Sequence, residues 1–355
     1  MLHFAIYGQP MYLYPQLLHG SLWEQKIIYE TFEKRLQTTF YSVILRITRG
    51  GEQFMGHVIS ITNQKGGVGK TLTATSLASI LTLRGYSVLS IDLDPQCNFD
   101  QVAGGPGEIK QYDTTSLSIL NVLNQECTIE DAIVETDIGK LVRATPNLSQ
   151  WTGRPFFSRT EYDRCRNQKG MNPDEIVKIM DERFKSGWGA TEHKTLDWEL
   201  REVRDKYDFI ILDTNPSLTL LTLNSLYTAD YILIPVFPEE PSRKAVLELR
   251  DTINGLIASN HGEVTAQILG ILITKYKHRT NVSKAYAAQY KRLAKSMGTI
   301  LFETKIREGI SAVEYTNKKR DLIRYAPNSP VAQDYRAFVD EFIMRISAME
   351  EGHHG

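Results

Sequence analysis

Two lysines five residues apart, Lys65 and Lys70 in ITNQKGGVGKT (residues 61–71), are the groups in this chain whose spacing most directly suggests chemistry. The stretch comes close to G-x-x-x-x-G-K-[ST], where backbone N–H groups cradle a polyphosphate, the lysine neutralises it and the hydroxyl meets Mg²⁺. Gly66, Gly67 and Gly69 would permit the close approach, Lys70 would neutralise the β and γ phosphates, and Thr71 would offer its hydroxyl to the metal. The stretch expected to hold the nucleotide runs from Lys65 through Gly66, Gly67, Val68, Gly69, Lys70 and Thr71 to Leu72. Gln64 stands where the first glycine is expected, and Lys65 follows it as a second cation. A loop serving one polyphosphate has no obvious need for that second charge.

Two acidic stretches supply the partners such a loop needs. SIDLDPQCN (residues 90–98) ends an apolar run with Asp92 and Asp94, and YDFIILDTNPS (residues 207–217) ends another with Asp213. Asp213 reads as an outer-shell anchor for Mg²⁺, and Asp94 as the carboxylate that orients or activates an attacking water. Thr71, Asp94 and Asp213 form the expected metal-side set, and Lys70 and Asp94 are expected catalytic groups. For Asp92 a loop cap is a credible alternative.

These groups must be positioned by alternating strands and helices. HVISIT (residues 57–62) is a short β-branched run before the glycines, and TLTATSLASILTL (residues 71–83) places Leu72, Leu77, Ile80 and Leu81 at helical spacing until Gly85. YSVLSIDLD (86–94) is the next strand, and the later runs KLVRAT (140–145), FIILDT (209–214), YILIPV (231–236) and QILGILIT (267–274) are continuously apolar. Such runs suit strands buried on both faces, so the expected fold is α/β, a mostly parallel twisted sheet with helices on both faces. In such a sheet ligands sit outside the carboxyl ends of the strands, where Asp94 and Asp213 lie. VAQDYRAFVDEFIMRI (331–346) places Tyr335, Phe338, Val339, Phe342, Ile343 and Ile346 on one face, as a closing core helix would.

The whole-chain properties narrow the classes. With 355 residues, 42% of them apolar, the chain can bury a large core, and a net charge of −1 excludes a globally basic nucleic-acid binder. Cys97, Cys127 and Cys165 form no C-x-x-C pair, which speaks against a zinc site or a disulfide scaffold. No apolar run is long enough to span a bilayer, and no signal-peptide pattern opens the chain, so the expectation is a cytoplasmic protein without a membrane partner. Residues 1–54 stand outside the strand–helix rhythm. They are either an N-terminal extension or sequence upstream of a start at Met55, since the codons for Gly50-Gly51-Glu52 can spell a ribosome-binding sequence. The expected main domain covers 55–350 and contains an irregular connection at 147–207, within which DEIVKIMDERFKSGW reads as a helix.

KGGVGKT, DLDPQ and DTNPSLTLLTLNSL, in this order, resemble the ParA/Soj branch of the deviant Walker A ATPases, and APNSPVAQDYRAFVDEF near the end adds to the likeness. The resemblance covers about Met55 to Ile346, apart from the 147–207 connection. It implies a P-loop NTPase fold that uses ATP and Mg²⁺ and forms an ATP-dependent sandwich homodimer. In such a dimer Lys65 would reach across to the partner's phosphates while Lys70 serves its own. Three departures stand out: Leu72 replaces a second threonine, Cys97 replaces a common glycine, and Asn215 interrupts a double proline.

Between Lys275 and Lys295 seven Lys or Arg occur with no acid, interleaved with Tyr276, Tyr286 and Tyr290. Such a local patch either is a solvated helix face or contacts phosphates without sequence preference. Arg279 and Arg307 match positions where ParA relatives carry DNA-contacting arginines, and Lys275, Lys277 and Lys284 lie nearby in sequence or on the same patch. The resemblance therefore implies a partition ATPase with weak intrinsic turnover that binds nucleoid DNA nonspecifically and is released when a ParB-like partner stimulates hydrolysis. The alternative is a relative that positions a protein cargo or regulates chromosome replication. A MinD-like membrane ATPase would need a terminal basic amphipathic helix, and an iron–sulfur relative would need interface cysteines; neither pattern is found.

Overall fold

The computed structural model describes residues 3–6, 9–12, 56–104, 117–151, 194–260 and 263–351. The chain divides into two compact units, Met1–Glu52 and Gln53–Gly355. In the first, β1 (His3–Ile6) and β2 (Gln9–Tyr12) pair as an antiparallel hairpin.

The second unit is built on a seven-stranded sheet ordered β5-β6-β4-β7-β3-β8-β9. Its strands are β3 (His57–Ile61), β4 (Val88–Leu93), β5 (Ile133–Thr136), β6 (Gly139–Val142), β7 (Phe209–Thr214), β8 (Tyr231–Val236) and β9 (Gln267–Ile273). Every pairing is parallel except that of the edge strand β5 with β6. The continuously apolar runs are strands because both faces are covered, as parallel sheets require. Alternate residues show this directly. Ile59, Ile61, Phe209 and Ile211 join the core on one face, whereas Val58, Leu89, Ile91, Ile210 and Leu212 join the core on the other.

The first face is closed by α1 (Lys70–Leu83) and the C-terminal α10 (Pro330–Glu351). Helix α10 starts where the Ala332 N–H donates to the Ser329 hydroxyl, 3.2 Å away, and it buries Tyr335, Phe338, Val339, Phe342 and Ile346. After β4, α2 (Asp100–Ala103) adds Val102 and Ala103 to this same face, while on the opposite face α3 (Ile119–Leu123) packs with α4 (Thr195–Leu200) beneath β4 and β7. Then α5 (Leu220–Thr228) follows β7, α6 (Glu240–Ser259) follows β8 and α7 (Asn281–Ser296) follows β9. Two short turns, α8 (Ser311–Glu314) and α9 (Leu322–Tyr325), lead into α10.

The expectation of an irregular stretch at 147–207 meets structure at both of its ends. Leu148 lies in a one-turn helix over Pro146–Gln150, and Leu196, Leu200, Val203 and Tyr207 are buried beside α3. The expected DEIVKIMDERFKSGW helix and Cys165 lie outside the described residues, as does Met55. β5 had no counterpart in the sequence reading: its residues are mostly half-buried, with Glu135 exposed, so it lacks the apolar run that marked the others. No described helix is long and apolar enough to cross a membrane.

Candidate nucleotide site

The register of the three central strands brings the chemistry together. Ile61 of β3 lies opposite Asp213 of β7, and Asp213 lies opposite Asp92 of β4. The carboxyl ends of neighbouring strands thus place the glycine loop, which leaves β3, beside two carboxylates.

The loop from Thr62 to Gly69 is held at three points. Asn63 donates its amide to the Pro235 carbonyl at 2.7 Å and accepts from the Lys65 N–H at 2.9 Å, tying the loop's entry to the end of β8. Thr214 donates to the Ile61 carbonyl at 2.9 Å. At the exit the Thr274 hydroxyl, just past β9, lies 2.9 Å from the Val68 carbonyl and 3.1 Å from that of Val236, with one proton to share between them. Gly67 and Gly69 take φ of +74° and +83°, the left-handed region that a side chain would strain. Gly69 is the N-cap of α1 and no side chain caps that helix, so its first N–H groups are available to an anion.

Lys70 is buried at the first position of α1, and its ammonium donates weakly to the Lys65 carbonyl at 3.4 Å. Burial lowers its pKa, while Asp213 and then Asp94 pull it back up. Asp213 is fully buried, and neither of its oxygens meets a hydrogen-bond donor at ordinary geometry among the described residues. Burial pushes its carboxyl up to about 7, against the pull of the nearby Thr71 hydroxyl and Lys70 ammonium. Asp92 is also fully buried: Oδ1 accepts from the Asp94 N–H at 2.9 Å, whereas Oδ2 meets no hydrogen-bond donor among the described residues. Burial, with the Asp213 charge beside it, raises its pKa well above the carboxylate norm. Asp92 thus caps the turn at Asp94 through one oxygen and keeps the other directed into the buried carboxylate cluster without a donor among the described residues. Asp94 accepts from the Gln96 N–H at 3.0 Å through Oδ1 and remains slightly accessible.

Buried carboxylate oxygens without donors suit a hard cation with oxygen ligands. No group of three or more His, Cys, Asp and Glu among the described residues could hold a metal ion by itself. The donor set therefore fits Mg²⁺ completed by phosphate oxygens and water, and it fits poorly an ion held by protein alone.

The sequence reading missed Asn63, Thr274 and Glu239. Asn63 had a signal, since it adjoins the loop. Thr274 and Glu239 become visible only through the strand order. Glu239, just before α6, receives an ion pair from Lys65. Leu72, in the first turn of α1, packs against the core and is only partly buried. Asn215 accepts from the Thr222 hydroxyl at 3.1 Å, so the turn after Asp213 is tied to α5.

The five residues expected at DNA divide. Arg279 and Lys284 are exposed and form no ion pair among the described residues. Lys277 pairs with Glu308 at 3.2 Å, and Lys275 stacks its ammonium 4.3 Å from the centre of the Phe237 ring. Arg307 makes a two-pronged contact with Asp334 at 2.7 and 2.6 Å, so its guanidinium is already engaged within the chain.

Comparison with known proteins agrees with this geometry. Residues 59–316 match the model of the CobQ/CobB/MinD/ParA nucleotide binding domain. The chain is 31% identical over 291 residues to a chromosome-partitioning ATPase Soj of Thermus thermophilus, covering 81% of this chain and 96% of that protein. A cobyrinic acid a,c-diamide synthase of Mycobacterium smegmatis, with bound ATP analogue and magnesium, superposes with a TM-score of 0.59 at 25% identity over 80% of this chain and 93% of that one. Cyanothece McdA superposes with a TM-score of 0.61 at 20% identity over 81% of this chain and 99% of that one. Glycine loop, paired strand-end carboxylates and parallel sheet thus converge with sequence similarity over most of the chain, which belongs to the CobQ/CobB/MinD/ParA nucleotide-binding family.

Proposed function

We propose that this chain is an ATPase of the partition type, which dimerises on ATP, binds DNA nonspecifically through a basic patch, and is released when a ParB-like partner stimulates hydrolysis. The observation that carries the ATPase reading is Lys70, buried behind a left-handed glycine loop within electrostatic reach of both Asp213 and Asp94.

Gly66 to Gly69 and the amino end of α1 bind the phosphates through backbone N–H groups, and Lys70 neutralises them. Mg²⁺, when bound, would offset charge on the β and γ phosphates, with Thr71, Asp213 and Asp94 on its side of the site. Asp94 orients the attacking water and can take up its proton, because one of its oxygens is committed to Gln96 and the other makes no hydrogen bond within the described chain. Asp92, packed beside Asp213, holds the Asp94 backbone in place. Lys65 serves the partner's phosphates in a dimer of two ATP-bound chains.

DNA binding is supported by Arg279 and Lys284, which are exposed and stand just beyond Thr274, the residue that grips the phosphate loop. Pairing two subunits would bring two such patches onto one duplex, so ATP would control avidity. The test is ATP turnover with and without DNA. Asp94→Ala should lower turnover at least about a hundredfold while ATP still binds, as loss of a general base does. Unchanged turnover in that variant would remove Asp94 from the mechanism.

A further inference from the structure

Lys65 is not free within the single chain. Its ammonium is paired with the Glu239 carboxylate, 174 residues away, and the two side chains keep 26% and 42% of their exposure. Most half-exposed pairs of long side chains are loose. In this pair both backbones are fixed. The Lys65 N–H is held by Asn63 at 2.9 Å. Glu239 donates its N–H to the Phe237 carbonyl at 2.8 Å, and the carbonyls of Phe237 and Glu239 share the buried Tyr290 hydroxyl at 2.9 and 3.1 Å. The neighbouring Glu240 does not compete, being committed to Arg243 at 2.9 and 2.7 Å.

We propose that Glu239 is a positioning residue for Lys65: it retains the ammonium in cis, and each protomer must release this pair before Lys65 can serve another subunit's phosphates. This rests on the reading of Lys65 as the lysine that crosses between subunits. The Glu239 carboxylate and an incoming phosphate are both anions seeking the same cation. Their competition sets how much ATP-loaded protein is needed before dimers form. Because a dimer would break two such pairs, the effect of one enters twice. A half-exposed ion pair shifts its equilibrium by up to about four- to fivefold, so two shift dimerisation by up to about twentyfold.

The experiment uses the full chain with Mg²⁺ and a non-hydrolysable ATP analogue, reading the dimer midpoint by sedimentation and nucleotide affinity by calorimetry. Glu239→Gln should dimerise at lower protein concentration, by up to about twentyfold in the dimer constant, with nucleotide affinity within about twofold of the parent. Glu239→Asp, which keeps the charge, should stay nearer the parent. In a Lys65→Ala background Glu239→Gln should add nothing, a coupling that a purely structural role for Glu239 would not produce. An unchanged or raised midpoint for Glu239→Gln, with folding and nucleotide affinity intact, overturns the proposal. If Lys65→Ala alone dimerises like the parent, the cross-subunit reading of Lys65 is what fails.

Discussion

Cys97 holds a backbone φ of +54° with its side chain fully buried and its thiol 3.3 Å from the Pro95 carbonyl. The sequence marked it as a departure from a common glycine, and the backbone gives the reason: the turn after Asp94 needs a left-handed residue. Such a conformation costs an L-residue about 1–2 kcal/mol. Cys97→Gly removes that strain but loses a packed thiol and gains unfolded-state freedom, so stability should change by less than about 1 kcal/mol. Cys97→Val, β-branched in the same conformation, should lose about 2 kcal/mol or more in urea unfolding. Asp213 carries the other prediction at this scale. Burial pushes its carboxyl from the ordinary value of 3.8 up to about 7, so the fold binds more protons than the unfolded chain between those values. Stability without ligand should therefore fall as pH rises from about 4 to about 7 and level off above. Asp213→Asn should flatten that decline and raise Tm above pH 7, while abolishing the extra stabilisation given by Mg²⁺ with ATP. Thermal unfolding across pH, with and without Mg²⁺–ATP, measures both.

Elements decide what the sequence could reveal. Strands β3, β4, β7, β8 and β9 were legible because burial on both faces leaves no polar alternation, and α10 because Tyr335, Phe338, Phe342 and Ile346 repeat at helical spacing. Strand β5 escaped because it is a short edge whose residues are mostly half-buried. Phosphate-loop residues were legible through local spacing. Contacts between distant segments were not: Lys65 with Glu239, Thr274 with Val68, and Arg307 with Asp334 exist only because of the strand order and the return of α10. Thr274 joins the ends of β8 and β9 to the glycine loop, so it should matter to both. Thr274→Val, nearly isosteric, deprives the buried Val68 carbonyl of its donor, and a carbonyl left unpaired costs about 1–3 kcal/mol. The expected result is a stability loss of that order together with weaker ATP binding by calorimetry. Unchanged ATP affinity would mean that the loop is held by the nucleotide alone.

At the scale of the whole molecule a near-neutral chain concentrates cations on one stretch beside its nucleotide loop. In the proposed function, log–log plots of DNA affinity against salt should flatten by about 2 per protomer when Arg279 and Lys284 are both changed to Ala, with little effect on stability. Arg307→Ala should act differently. Asp334 is nearly buried, 11% exposed at its side chain, and would lose its charged partner while keeping only the residue 307 N–H at 2.9 Å, so stability should drop more than DNA affinity. A DNA defect from Arg307→Ala without any fall in Tm would place that guanidinium at the DNA after all. The outer edge of the sheet has a consequence for self-association. Beyond β9 the chain returns alongside it: Ile271 pairs with Leu301 and Tyr276 with Arg307, and the Ile271, Phe302 and Ile306 amides are used in those contacts. An uncovered strand edge invites another copy to join by backbone pairing, an attachment that no nucleotide could reverse. In the proposed function, where chains meet on ATP and part after hydrolysis, the closed edge leaves the ligand in charge of when they come together.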